Sequence, residues 1–170
     1  RESAPRDTIA TADVGSHKLL VGQGWTAFDP RSVLITNGLS SMGYSLPAAI
    51  AAKLVHPERP VVCFVGDGGL AMVQSELSVA SSLGLDILVV VFCDNSLNRI
   101  EIKQQNRNYP SWGTRIDAID LELLARSMEC EGVMVDDATA LSRVLAGARP
   151  RDRPLLIGAR IDPAQYTAQF

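Results

Sequence analysis

Apolar and polar positions alternate in blocks along this chain, and the blocks follow two kinds of periodicity. Short runs of consecutive apolar residues, typical of strands buried on both faces, alternate with segments whose apolar residues recur at helical spacing. The predicted strands are residues 8–14, 33–36, 61–65, 87–93, 132–135 and 154–159. The predicted helices are residues 44–54, 72–83, 98–105, 121–128 and 139–148, with a weaker one after residue 17 and a loop over residues 22–30. This alternation predicts an α/β fold, a doubly wound, mostly parallel six-stranded sheet with helices on both faces.

Composition supports one globular domain over residues 1–170. Hydrophobic residues make up 46% of the chain, charged residues 21%, and the net charge is −3. These values allow a sizeable core and argue against a general basic surface for nucleic acid. The apolar runs are too short to span a bilayer, so no membrane partner is expected. Cys63, Cys93 and Cys130 form no CxxC pair, which predicts free, mostly buried thiols in a reducing, cytoplasmic location.

One stretch combines a strong strand pattern with an unusual turn. The apolar run over residues 61–65 leads directly into Gly66-Asp67-Gly68-Gly69, and a helical pattern follows. In sheets of this kind, ligands bind at the carboxyl ends of the strands, and glycine there lets the backbone approach a phosphate. Taken alone, the four residues are equally typical of a simple tight turn.

A second polar residue gives this turn a chemical partner. Asn95 lies 28 residues after Asp67, which is the length of one helix and one strand. Both side chains should therefore emerge at the same edge of the sheet, from nearby strands. A carboxylate and an amide oxygen, completed by a backbone carbonyl, phosphate oxygens and water, suit magnesium, whereas the soft ligands that zinc prefers do not accompany them.

Three stretches together carry a resemblance to a known family. They are Gly66-Asp67-Gly68 with Asp94-Asn95, residues 37–54 upstream, and Ile161-Asp162-Pro163 near the end. They resemble the C-terminal, diphosphate-binding domain of thiamine-diphosphate-dependent enzymes, in particular the acetolactate synthase and 2-oxo-acid decarboxylase group. In that family, Gly-Asp-Gly is followed after one crossover by an asparagine, commonly in an Asn-Asn pair. The resemblance extends over nearly the whole chain.

The resemblance implies roles for the matching positions. The residues expected to bind thiamine diphosphate are Ser16, His17, Ser40, Met42, Gly66, Asp67, Gly68, Gly69 and Asn95. The residues expected to bind Mg²⁺ are Asp67, Asn95 through its side chain, and Leu97 through its carbonyl oxygen. The N–H groups of Gly68 and Gly69 would hold the diphosphate. Met42 would support the bent cofactor, and the Ser40 carbonyl would accept a hydrogen bond from the aminopyrimidine.

Several of these positions allow a second interpretation. His17 could bond only to backbone in its loop, and Met42 could be an ordinary core residue. Glu101 could supply a proton to the reaction intermediate, or it could be a solvent-facing helix residue. Gln104 stands where acetolactate synthases usually carry a tryptophan, which argues against strict acetolactate synthase activity. Asp94 replaces the first asparagine of the usual pair, at a position that is not the main ligand.

The resemblance also implies partners. In this family, the glutamate that activates the pyrimidine belongs to a separate pyrimidine-binding domain, usually of another subunit, within a homodimer or homotetramer. A chain that starts at Arg1 is then expected to be a fragment or a subunit of a larger enzyme, inactive without that domain. The implied enzyme is a lyase or transferase that cleaves or forms C–C bonds next to the carbonyl of 2-oxo acids. The alternatives are a non-catalytic thiamine-diphosphate-binding or assembly module, and a flavodoxin-like domain for another phosphorylated ligand.

Overall fold

The computed structural model describes residues 1–147 and 150–169, so the predicted helix end at residue 148 lies outside the described residues. The strands are β1 (Ile9–Ala12), β2 (Val33–Ile35), β3 (Val61–Gly66), β4 (Ile87–Cys93), β5 (Glu131–Val135) and β6 (Leu155–Arg160). They form one 6-stranded sheet in the order β2-β1-β3-β4-β6-β5. Every pair of neighbouring strands is parallel, which confirms the predicted α/β fold.

Helices cover both faces of this sheet. They are α1 (Ser16–Gly24), α2 (Ser45–Val55), α3 (Asp67–Val73), α4 (Glu76–Ser82), α5 (Asn98–Asn106), α6 (Leu121–Ser127) and α7 (Ala138–Ala146), followed by a 3₁₀ turn over Pro163–Gln169. None of the helices in the described residues combines the length and the apolar character that crossing a bilayer requires.

The unbroken apolar run of β4 is explained by burial on both of its faces. Ile87, Val89 and Val91 are fully buried in the larger core cluster, which also contains residues of α2, α4 and α6. Val90 points the other way and packs in a second cluster with Phe64. Each large apolar side chain buried in this way stabilises the fold by about 1.5–3 kcal/mol, so the central strands anchor the edge at which the polar turns lie.

The strand order reverses between β1 and β3. From β1 the chain moves outward to β2, then returns to the other side of β1 as β3 and continues to β4. Because the two connections leave in opposite directions, a crevice opens at the carboxyl ends of β1 and β3, and ligands of doubly wound proteins bind in such a crevice.

The prediction of one helix over residues 72–83 is wrong, because two helices occupy this region. The first, α3, already begins at Asp67, directly after β3, and the second, α4, begins at Glu76. At the junction, Leu77 N–H donates to the Gln74 carbonyl and Ser78 N–H to the Ser75 carbonyl. These bonds span three residues rather than four, so the chain tightens locally and the α-helical pattern is interrupted.

The predicted loop over residues 22–30 is also wrong at its beginning. Helix α1 continues to Gly24, and the N–H of Trp25 donates to the Val21 carbonyl at 2.9 Å. The Trp25 ring packs edge-on against Phe64 of β3, with 5.4 Å between ring centroids. This contact holds the last turn of α1 against the sheet despite the two glycines that weaken its helical propensity.

The three cysteines are free thiols, as predicted. Cys63 and Cys130 are buried and Cys93 is partly buried. Burial raises the pKa of Cys63 to about 12, so this thiol stays protonated at neutral pH. A protonated, buried thiol is unreactive and packs like a small apolar side chain.

Candidate functional site

A cleft of about 380 Å³ opens at the point where the strand order reverses. Its lining includes most of the residues singled out from the sequence, namely Ser16, His17, Ser40, Met42, Gly66, Asp67, Gly68, Gly69 and Leu97. Of the predicted cofactor-binding residues, Asn95 alone does not line it. The volume falls within the range of about 300–1,000 Å³ that small-molecule sites occupy.

Bare backbone forms the floor of the cleft at Gly68. A Cβ atom at this position would stand 2.9 Å from Leu97 Cδ2 and 3.4 Å from Met42 Cε. Met42 is only partly buried and belongs to the cleft wall, which disfavours the interpretation of an ordinary core residue. Ser40 has φ of 51°, a conformation that glycine adopts more easily than serine.

Asp67 is held rigidly by backbone donors. Its Oδ1 accepts the N–H of Gly68 at 2.7 Å, and its Oδ2 accepts the N–H groups of Asn95 at 2.7 Å and Asp94 at 3.1 Å. An ionised carboxylate offers about four acceptor positions, so about one remains for a ligand. Burial raises the pKa of Asp67, while the three backbone hydrogen bonds and the nearby His17 act in the opposite direction.

The other two predicted metal ligands lie on different sides of Asp67. Asn95 lines a second cavity of about 330 Å³, which it shares with Asp67 and Arg160. Its backbone adopts φ of 55°, and its N–H donates to the Asp67 carboxylate. Leu97 lines the main cleft, but its carbonyl accepts the N–H groups of Ile100 and Glu101 at the start of α5. Asp67 therefore borders both cavities, whereas Asn95 lines only the second and Leu97 only the main cleft.

The donor chemistry at this edge fits a hard cation. Among the described residues, no three His, Cys, Asp or Glu side chains converge in a metal-binding arrangement. A divalent ion here would thus depend on mixed oxygen ligands and on oxygens of its own ligand, which is the usual situation of Mg²⁺. Burial and the neighbouring charge of Asp67 raise the pKa of Asp94 to about 6, and a cation beside the two carboxyls would favour their ionised forms.

His17 bonds a side chain, not the backbone of its loop. Its Nε2 lies 2.8 Å from Oδ1 of Asp13, and its ring stacks on Phe92 with 5.3 Å between centroids. Neighbouring Ser16 donates its hydroxyl to Oδ1 of Asn98 at 3.0 Å, so the loop after β1 is tied to the start of α5. The sequence patterns pointed to neither Asp13 nor Asn98. For Asp13, the available signal was its spacing from His17, four residues later at a strand end.

Glu101 is not the solvent-facing helix residue that one interpretation expected. It is only 4% exposed, accepts the Ser96 hydroxyl at 2.8 Å and pairs with the Arg115 guanidinium at 3.1 Å. Burial alone would raise the pKa of Glu101, but the hydrogen bonds from Ser96 and Ser111 and the charge of Arg115 outweigh it and lower that pKa. Glu101 does not line the cleft. Through its bonds to Ser96 and Arg115 it stabilises the loop that carries Asn95.

Replacing Glu101 by glutamine should lower the free energy of unfolding by about 1–3 kcal/mol at pH 7, because a charged, buried hydrogen-bond acceptor is lost. The pKa of Glu101 is lower in the folded chain, so its contribution is present above the unfolded pKa of about 4.3 and disappears as the pH falls through the folded value. Urea unfolding of both proteins over a pH series would show the two stabilities converging in acid.

The matched control for this substitution is Glu58→Gln. Glu58 is an exposed carboxylate whose side chain is 69% accessible, so its loss should change stability by less than about 0.5 kcal/mol. Equal stabilities of Glu101→Gln and the unsubstituted protein at pH 7 would contradict the anchoring role.

Gln104 organises the segment after α5. Its side-chain amide donates to the Trp112 carbonyl at 3.0 Å and accepts the Trp112 N–H at 3.2 Å. The Tyr109 N–H donates to the Gln104 backbone carbonyl. The side chains of Tyr109 and Trp112 are exposed and lie outside the cleft lining, so here Gln104 serves loop structure rather than the cleft wall.

Comparisons with known proteins identify relatives of this chain. The family described as thiamine pyrophosphate enzyme, C-terminal TPP binding domain, matches residues 13–159. The catabolic acetolactate synthase of Raoultella terrigena is 33% identical over 156 residues, which are 92% of this chain and 28% of that protein. The acetolactate synthase large subunit of Lactococcus lactis is 31% identical over 164 residues, 94% of this chain and 28% of its own.

A third relative carries a broader name. The putative thiamine pyrophosphate-containing protein YdaP of Bacillus subtilis is 30% identical over 161 residues, 95% of this chain and 28% of its own. This chain thus spans just over a quarter of the length of the relatives it matches. The match over most of the chain confirms the resemblance drawn from the sequence motifs. The chain belongs to the family of C-terminal thiamine-pyrophosphate-binding domains of thiamine pyrophosphate enzymes.

Proposed function

We propose that this chain binds Mg²⁺ and the diphosphate of thiamine diphosphate, as part of an enzyme that breaks or forms C–C bonds beside the carbonyl of 2-oxo acids. The observation that carries the proposal is the cleft in which Asp67, the bare backbone of Gly68 and the Met42 side chain face one volume. In this cleft, an anionic group with a bound cation has the Asp67 oxygens on one side and the apolar side chain of Met42 on the other.

The residues of the cleft fit this cofactor in three respects. Gly68 lines the cleft without a side chain, and Leu97 and Met42 already fill the space that a Cβ atom would need, so only the backbone of this residue can face a diphosphate. The Asp67 carboxylate retains about one acceptor position for a cation. The partly buried Met42 supplies an apolar support beside this floor. When bound, thiamine diphosphate supplies the electron sink for chemistry next to a carbonyl.

Each of these residues then has a defined task. Asp67 holds the cation, joined by Asn95 and Leu97 once the loop that carries them has adjusted. Ser16, His17, Gly66 and Gly69 surround the diphosphate, and Ser40 and Met42 orient the rest of the cofactor. Glu101 remains a candidate proton donor only if its bonds to Ser96 and Arg115 open, because both carboxylate oxygens are engaged.

The activity needs a second domain. The relatives are much longer than this chain, and the pyrimidine-binding domain implied by the family would complete the site from the same or another subunit of a homodimer or homotetramer. We infer a 2-oxo-acid decarboxylase or an acetolactate-synthase-like carboligase, that is, a lyase or transferase. The free thiols fit the cytoplasmic location expected from the sequence.

Carbon dioxide release tests this function. The protein, isolated with whatever pyrimidine-binding domain accompanies it, should release carbon dioxide from pyruvate or another 2-oxo acid when thiamine diphosphate and Mg²⁺ are present. The 170-residue chain alone should be inactive, because in this family the activating glutamate belongs to the pyrimidine-binding domain. Cofactor binding without turnover of any 2-oxo acid by the completed protein would favour the alternative of a non-catalytic binding or assembly module.

A further inference from the structure

Asp13 is a fully buried carboxylate that touches three segments of the cleft. Its Oδ1 lies 2.8 Å from Nε2 of His17, in the first turn of α1. Its Oδ2 accepts the N–H of Gly43 at 2.7 Å, in the turn before α2. The same oxygen fills the space that a Cβ atom on Gly69 would need, at the start of α3. One short side chain at the end of β1 therefore joins three separate parts of the ligand site.

The contact with Asp13 determines which nitrogen of His17 carries hydrogen. An ionised carboxylate only accepts hydrogen bonds, so Nε2 must be the protonated nitrogen of the pair. The opposite edge of the ring faces backbone, because a Cβ atom on Gly15 would lie 2.6 Å from Nδ1 and one on Gly66 would lie 3.4 Å from it. Gly15 and Gly66 both line the cleft, so the Nδ1 edge of the ring packs against the backbone that forms the cleft wall.

The contact with Gly43 reaches the opposite wall. Gly43 directly follows Met42 and has φ of 77°, a conformation that favours glycine. Its N–H is buried and finds its acceptor in Asp13. A Cβ atom here would also stand 2.9 Å from Cγ1 of Val73, so the turn has no free space in which to shift. Fixing the Gly43 amide thus fixes the main chain that carries Met42.

We propose that Asp13 is a positioning residue of this cleft, which holds His17 in the Nε2–H tautomer and secures the turn that presents Met42. The role in cofactor binding rests on the function proposed above. The tautomer is a property of the protein without ligand and can be tested separately.

The tautomer can be read by nitrogen NMR of histidine-labelled protein without cofactor, at a pH at which the ring is neutral. His17 is assigned by the signal that disappears in His17→Gln, and exposed His56 serves as internal reference. The unsubstituted protein should show His17 as the Nε2–H tautomer. Finding Nδ1–H there would overturn the proposal, and this result does not depend on the folding of any variant.

Asp13→Asn should reverse the tautomer. The new carboxamide has one oxygen, which can accept from either the Gly43 N–H or His17 but not from both. The Gly43 N–H can only donate, whereas the His17 imidazole can change tautomer and accept instead. The amide NH₂ should therefore face His17, which becomes Nδ1–H. Thr11→Val is the matched control, because it removes a buried hydrogen bond from the same face of β1, outside the cleft, and should leave His17 as Nε2–H. An unchanged tautomer in a folded Asp13→Asn protein would overturn the proposal.

Affinity for thiamine diphosphate with Mg²⁺ tests the positioning role. We expect Asp13→Asn and His17→Gln each to weaken binding about tenfold, and the double variant to lose clearly less than the product of the two losses. Fully multiplicative losses would overturn the idea that Asp13 acts through His17. Absence of binding by the unsubstituted protein would contradict the proposed function, while the NMR result would still decide the role of Asp13.

Discussion

Replacing Asp67 by asparagine should abolish magnesium-dependent binding of thiamine diphosphate, with a loss of at least about 100-fold in affinity. The substitution keeps the size of the side chain but removes the charge that a divalent cation needs. It also places an amide NH₂ among the backbone donors of Gly68, Asp94 and Asn95, where only an acceptor fits. Isothermal titration with thiamine diphosphate at saturating Mg²⁺ measures this loss.

The matched control is Asp86→Asn. Asp86 directly precedes β4, so it lies at the amino edge of the sheet, opposite the cleft, and its loss changes the net charge by the same amount. Binding by this variant should be unchanged. If Asp67→Asn bound the cofactor as tightly as Asp86→Asn, the assignment of Asp67 to the cation would be wrong.

Gly69→Ala should destabilise the fold by about 3 kcal/mol and impair cofactor binding at the same time. The added methyl group would collide with Oδ2 of Asp13, whose position is set by its bonds to His17 and Gly43. It would also stand 3.2 Å from Cγ2 of Val65. Relief of the collision requires Asp13 to move, which leaves a buried carboxylate and a buried N–H group with poorer partners. Urea unfolding followed by circular dichroism measures the change.

Gly22→Ala provides the comparison for this substitution. Gly22 lies inside α1, and beyond the neighbouring backbone of the helix itself no atom stands within 4 Å of the position that an added methyl group would take, so alanine should be neutral or stabilising by up to about 1 kcal/mol. A Gly69→Ala protein as stable as Gly22→Ala would show that Asp13 is not held in the way described.

The sheet was predictable because each strand corresponds to a short local run of apolar residues. The run from Ile87 to Cys93 is apolar throughout, since both faces of the sheet are covered there, and the observed strand has the same limits. The shared location of the polar turns was also predictable, because a parallel sheet brings the carboxyl ends of all its strands to one edge. Most of the cofactor-binding residues named in advance therefore line the cleft, with family resemblance supplying the individual roles.

Pairings between distant segments could not be predicted in this way. Glu101 lies between Arg99 and Lys103 in sequence, which suggested a charged, solvent-facing helix surface, but its partner is Arg115 in a later loop. The interruption between α3 and α4 has no glycine or proline to mark it. The spacing of Asp13 and His17 indicated only one contact of Asp13, because the other two, with Gly43 and Gly69, come from other crossovers.

The most direct test of the central claim is a titration of the protein, together with any pyrimidine-binding domain purified with it, with thiamine diphosphate in Mg²⁺ and again after chelation by EDTA. We predict saturable binding at one site per chain with Mg²⁺ and its loss with EDTA. Two results would contradict the account. One is the same affinity in both conditions, which is expected of a flavodoxin-like domain that binds phosphorylated ligands without magnesium. The other is no binding in Mg²⁺.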